Sequence, residues 1–214
     1  MTPKEEKLLQ TQLRQHIGRT VNPKDLRFPG IRVESGKTIF TDGAILCAYD
    51  YVLPEIPKDG FYKMLAKGAF VFETEAGPDI GVLHSWRSVI PAESVYTEEV
   101  DFDRTAYPEY NISRVLAHLG GKGALLNLRY FIDLPQGYYA VKYLPAEEGG
   151  KRVPVLLRCK IVDAVEFMAV LMPMAHADIG VRRITPEQGP GAEIKPEEER
   201  RPDEEQNTEA EEHE

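Results

Sequence analysis

Two turns of two residues each, Ser35-Gly36 and Asp42-Gly43, constrain this chain most strongly. They separate three short runs: Ile31 to Glu34, which alternates in polarity, Lys37 to Phe40, and Ala44 to Tyr51. Parallel strands need a crossover of a dozen or more residues, so connections this short dictate an antiparallel meander. A helix precedes it. Thr2 is placed to cap that helix, Pro3 takes its first position, and Glu5 holds the reciprocal place of a capping box. Leu9, Leu13 and Ile17 recur every four residues with Leu8 beside them, giving one apolar stripe, and Gly18 is expected to end the helix.

Beyond Tyr51 the pattern is more broken. Pro54, Pro57 and Gly60 interrupt the chain, and Phe61 to Leu65 reads as a short helix. Phe70 to Glu73, Gly81 to His84 and Val95 to Val100 read as strands. Asn111 is the expected N-cap of a second helix, in which Ile112, Val115, Leu116 and Leu119 have the i, i+3, i+4, i+7 spacing and Gly120-Gly121 form the stop. Strands are expected again at Leu125 to Asp133, Tyr138 to Leu144, Val153 to Ile161 and Val165 to Met172. The pattern is a strand, a helix and three strands, given twice, with an irregular middle. The fold class it predicts is α+β, with helices on one face of antiparallel sheets.

The formal charge of −9 belongs to the end of the chain. From Pro186 onward there are 12 acidic and 3 basic residues, so the rest is balanced. With many Glu, Pro and Gly and almost no large apolar side chains, 186–214 is expected to be disordered. Cys47 and Cys159 make neither a disulfide framework nor a ligand cluster, which points to a reducing cytoplasm. No apolar run reaches the length of a membrane span, and the polar, charged start of the chain is unlike a signal peptide.

Three stretches carry a family resemblance. Gly30 to Leu46, which holds Phe40-Thr41-Asp42-Gly43, resembles the strand pair and Thr-Asp-Gly turn of a bacterial sliding DNA clamp domain (DNA polymerase III beta subunit). Tyr110 to Leu119 is similar to the second helix of such a domain, and Phe167 to Met174, ending Met-Pro-Met, to its closing strand. The three occur in family order. The resemblance implies one clamp-like domain over 1–185 with an insertion at about 54–98, followed by the acidic tail. In a second alignment, Tyr107-Pro108-Glu109-Tyr110 resembles the phrase that follows the second clamp domain, which implies parts of two domains fused. A clamp subunit has three domains and dimerises into a ring of six, so a ring here needs several copies.

What the resemblance implies about function is a non-enzymatic replication accessory, a processivity or DNA-tethering protein. Family helices line the DNA hole and touch phosphates without reading bases. Carried over, the residues facing non-specific double-stranded DNA are Lys7, Arg14, Arg114, His118 and Lys122. The family's second site is a hydrophobic pocket for short peptides of DNA polymerase or clamp loader. The matching positions are Thr41, Gly43, Ala44, Ile45 and Leu46 on one side and Val170 and Met172 on the other, with Ala44 where the family has a larger polar residue. The implied partners are DNA, such peptides and further copies of the chain through sheet edges. No membrane, cofactor or metal is expected.

The alternatives are a monomeric clamp-fold module that engages replication proteins or peptides, and a phage structural or assembly protein. Catalysis finds no constellation in the sequence. His16, His84, His118, His176 and His213 are scattered, Asp42, Asp50, Asp101 and Asp103 form no motif, and there is no phosphate loop or nucleophile elbow. Trp86, in Leu-His-Ser-Trp-Arg, reads as a buried anchor for the insertion.

Overall fold

A computed structural model describes residues 1–25, 27–65, 68–74, 83, 85–145, 153–162 and 165–174. The tail at 186–214, with His213, lies outside them, as do His84, His176 and all of the Gly81 to His84 run but Leu83.

Helix α1 spans Pro3–Thr20 and opens with the full capping box: Thr2 accepts from the Glu5 backbone while Glu5 accepts from the Thr2 backbone. It does not stop at Gly18. Val21 is buried, and its N–H reaches the Ile17 carbonyl at 2.8 Å, which holds the last turn helical past the glycine. Leu9, Leu13 and Ile17 are buried as the spacing requires, but the fourth member of the buried face is His16, and Leu8 is exposed.

Strands β1 (Gly30–Glu34), β2 (Lys37–Thr41) and β3 (Ile45–Tyr49) form the meander fixed by the two tight turns. Phe61 to Leu65 is not a helix. It belongs to strand β4 (Gly60–Met64), which pairs with the outer side of β1, and β5 (Phe70–Thr74) follows beside it. The reason is burial on both faces. Tyr62 and Met64 pack toward the helices and Phe61 toward the opposite face, which a strand allows and a single-faced helix does not.

The strand expected at Val95 starts later, as β6 (Glu98–Asp103), because Glu93–Val95 closes a 3₁₀ turn. Helix α2 (Pro108–Gly121) begins three residues before Asn111. Pro108 supplies the first helical φ, and Tyr107 is the N-cap in the left-handed region at φ 49°. The Asn111 side chain instead donates to the carbonyls of Asp103 and Ala106, at 2.8 Å each. Leu125 to Asp133 is not a strand either. Asn127 caps a short helix, α3 (Leu128–Ile132), by accepting from the Arg129 N–H. Strands β7 (Tyr138–Tyr143), β8 (Val155–Val162) and β9 (Val165–Leu171) complete the fold.

All nine strands join one antiparallel sheet in the order β5-β4-β1-β2-β3-β9-β8-β7-β6. One continuous sheet therefore replaces separate ones. Strand β4, from later in the chain, takes the outer place beside β1.

The two faces of the sheet carry different covers. Leu9, Leu13 and Ile17 of α1 and Ile112, Val115 and Leu119 of α2 share one core with Ile45, Cys47 and Tyr49 of β3 and Phe167, Ala169 and Leu171 of β9. The alternate residues Leu46, Ala48, Leu156 and Val170 point the other way, into a second cluster with Leu83 and Trp86. Trp86 is 4% exposed, and its Nε1 donates to Glu34 at 2.7 Å, so this side chain fastens residues 85–96 over the face away from the helices.

Candidate functional site

The helix-side core holds α1 and α2 against one sheet face, so their unburied sides look away from it. Lys7 and Arg14 project from α1, and Arg114, His118 and Lys122 from α2 or its end; Lys7, Arg14, Arg114, His118 and Lys122 are all exposed. Their electrostatic states differ. Arg14 makes a two-point ion pair with Glu55, one of its contacts at 2.8 Å. Lys122 pairs with Glu98 at 3.3 Å. His118 Nε2 lies 2.6 Å from the Tyr143 hydroxyl, which in turn donates to Glu98. Glu98 thus gathers Lys122 and, through Tyr143, His118. Its carboxyl sits below the usual range, chiefly because of the Tyr143 hydrogen bond, and burial pushes the Tyr143 hydroxyl up to about 12. Lys7 and Arg114 carry no ion pair among the described residues. They are the two candidates with no charge partner among the described residues.

The second group meets at the centre of the sheet. Strand β3 pairs with β9, placing Ile45 opposite Leu171 and Leu46 opposite Val170, and the Met172 N–H donates to the Ala44 carbonyl at 2.9 Å. Strand pairing therefore makes neighbours of sequence positions that lie far apart.

The turn between β2 and β3 is built from its own side chains. The Thr41 hydroxyl donates to the Ile45 carbonyl at 2.6 Å and accepts from the Gly43 N–H at 2.9 Å. Asp42 accepts from the Ala44 and Ile45 N–H groups and from the Tyr130 hydroxyl of α3 at 3.0 Å. Gly43 has φ +93°, and a side chain there would begin 3.0 Å from the Phe28 ring.

Within this group the side chains divide. Ile45 lies in the helix-side core; Leu46 and Val170 are buried on the other face in one cluster with Leu83 and Trp86; Gly43 is exposed, and Met172 is half-exposed. Two of the apolar positions expected to take a peptide, Leu46 and Val170, are thus covered by the chain's own Leu83 and Trp86. Sequence reasoning missed that cover because only Trp86 signals it. A cleft of about 980 Å³ lies on the same face, bordered by Trp86, Arg87, Ile90, Ala48, Met168 and Arg158.

No group of three or more His, Cys, Asp or Glu among the described residues is placed to hold a metal, and no described helix is long and apolar enough to cross a membrane. Cys47 and Cys159 are free and buried, and burial raises both thiols.

No protein-family model matches the sequence, and no curated protein matches it. Among solved structures the chain is similar to the DnaN sliding clamp (DNA polymerase III subunit beta) from Pseudomonas aeruginosa bound to griselimycin. Identity is 14% and the TM-score 0.40, over 78% of this chain and 64% of the clamp chain. The match therefore spans less than two thirds of the clamp's length, and it is a distant likeness of shape.

Proposed function

We propose that this chain is a non-enzymatic clamp-type accessory of DNA replication, which turns the outer sides of α1 and α2 toward double-stranded DNA and holds it without reading sequence. The observation that carries the reading is the common face: two helices, far apart in sequence, share one core against one continuous sheet. The strand order supports two corresponding halves, β4-β1-β2-β3 and β6-β7-β8-β9, joined by the antiparallel pair β3–β9. The Thr-Asp-Gly turn and the closing strand meet at that join, and we read the two halves as one clamp-like domain over 1–185.

Lys7 and Arg114 are the primary phosphate contacts in this proposal, because neither forms an ion pair among the described residues. Arg14, His118 and Lys122 contribute less, being engaged with Glu55, Tyr143 and Glu98. The test is anisotropy with two duplexes of unrelated sequence. Equal affinity for both is expected, and reversing Lys7 and Arg114 to Glu should lower the salt dependence by about two counterions' worth, roughly 0.9 in log–log slope for each contact. Unequal affinities, or a slope unchanged by the reversals, would contradict the reading.

The peptide-binding alternative rests on a different observation, the meeting of Leu46, Val170 and Met172. Because Leu46 and Val170 are covered by Leu83 and Trp86, a polymerase or clamp-loader peptide has to displace that cover. Such a peptide should therefore bind a Trp86→Ala variant more tightly than the parent chain. Equal affinity for both would count against peptide docking here.

A further inference from the structure

The helix side also holds a polar hollow that neither the free cations nor the central turn uses. It is a cavity of about 200 Å³ between α1 and the α3–β7 connection, and its lining includes Gln12, Gln15, His16, Arg19, Arg104 and Gln136. Arg104 is half-buried. Its Nε donates to the Phe131 carbonyl at 3.2 Å and another guanidinium N–H to the Ile132 carbonyl, and no carboxylate pairs with it among the described residues. Asp133, the acid in the same lining, is taken by Arg19 at 2.9 Å.

Two guanidiniums therefore share one carboxylate in a partly screened recess, Arg19 at its open rim and Arg104 half-buried, leaving one positive charge unanswered among the described residues. Burial already works against the Arg104 charge. His16, at the floor, is held neutral first by burial and then by the fields of Arg104 and Arg19. The same field that opposes a proton on His16 favours an anion in the hollow. The glutamine amides add neutral donors that an oxyanion accepts from without a further charge to desolvate.

We propose that this hollow is an oxyanion site for one phosphate group, with Arg19 and Arg104 supplying the charge and Gln12, Gln15 and Gln136 the amide donors. A cavity of this volume is several times the share of one water molecule, about 30 Å³ in the liquid, so a single tetrahedral oxyanion fits. The phosphate is either free or part of a nucleic-acid backbone, and the site stands independently of the DNA reading above.

The test follows the Arg104 Nε–H resonance of the full chain while inorganic phosphate is added, with chloride at matched ionic strength as the control. A saturable movement with phosphate alone is expected. Gln12→Glu leaves Arg104 and its helix-end contacts in place but sets a carboxylate in the hollow. It should weaken phosphate binding about tenfold, the effect of roughly one charge pair in a partly screened recess, and it should raise Tm because the built-in anion answers the spare charge. A short duplex added in parallel separates the sources: movement that phosphate competes away assigns the nucleic-acid backbone, and a response to phosphate alone assigns a free phosphate group. Movement that is linear and matched by chloride, or a response unchanged in Gln12→Glu, overturns the site. A chain that answers phosphate but never binds duplex loses the DNA reading and keeps this one.

Discussion

The most informative single residue is His16. It is buried at 3% exposure, its Nδ1 lies 2.6 Å from the Tyr49 hydroxyl, and burial with the neighbouring Arg104 and Arg19 lowers its pKa to about 3. Between roughly pH 6.5 and pH 3 the unfolded chain takes a proton on this histidine and the folded chain does not, so acid favours unfolding. We expect stability to fall with a slope of about 1.4 kcal/mol per pH unit from this group alone across that window. Denaturant unfolding of the parent and His16→Gln at several pH values checks it: the slopes should differ by about one proton, and equal slopes would show that His16 is not held neutral. Gly43 is the second such position. Its φ of +93° and the Phe28 ring 3.0 Å from the place of a Cβ mean that Gly43→Ala should cost about 1–3 kcal/mol, read in the same way, and a neutral result would show that the turn relaxes freely.

At the scale of elements, the 85–96 segment should behave as a cover fastened at a few points. Trp86 and Arg87 both reach Glu34, and Glu93 meets Lys142 and Arg158. Trp86→Ala should cost about 3–5 kcal/mol and open this segment to proteolysis before the sheet unfolds. Cleavage that waits for global unfolding would show the segment to be integral to the core.

The elements were legible in the sequence where local chemistry decides them. The capping box of α1, the two tight turns and the last three strands follow from nearest-neighbour signals. In Phe61 to Leu65 and Leu125 to Asp133 short apolar runs do not reveal their period: burial on both faces makes the first part of a strand, and the Asn127 cap starts a short helix inside the second. His16 was hidden for a related reason. It falls on the stripe, three residues after Leu13, but a histidine there is buried only because Tyr49 offers it a partner from another element. Of the candidate sites, the turn and the closing strand were each visible as motifs, but their meeting was not, because it depends on the pairing of β3 with β9. Neither the Glu55 and Glu98 partners nor the cover over Leu46 and Val170 could be read without the fold.

At the scale of the molecule, the two end strands of the sheet differ in character. β6 bears Glu98, Glu99, Asp101 and Asp103, and a row of acids along an edge discourages pairing with a like edge. β5, with Phe70, Val71 and Phe72 and the single acid Glu73, has no such row, and Val71 is 47% exposed. If copies of the chain assemble by sheet edges, β5 takes part, so Val71→Lys should reduce the mass found by sedimentation; an assembled mass indifferent to that change would place the contact elsewhere.

The central claim is that the helix side, and not the covered side, meets DNA. Amide shift mapping with a duplex of arbitrary sequence tests it most directly, because the single tryptophan gives an indole N–H marker on the opposite face. Perturbations should cluster on α1 and α2 around Lys7 and Arg114, with the Trp86 indole unmoved. A moving Trp86 signal beside silent helices, or no perturbation anywhere at low salt, would contradict it.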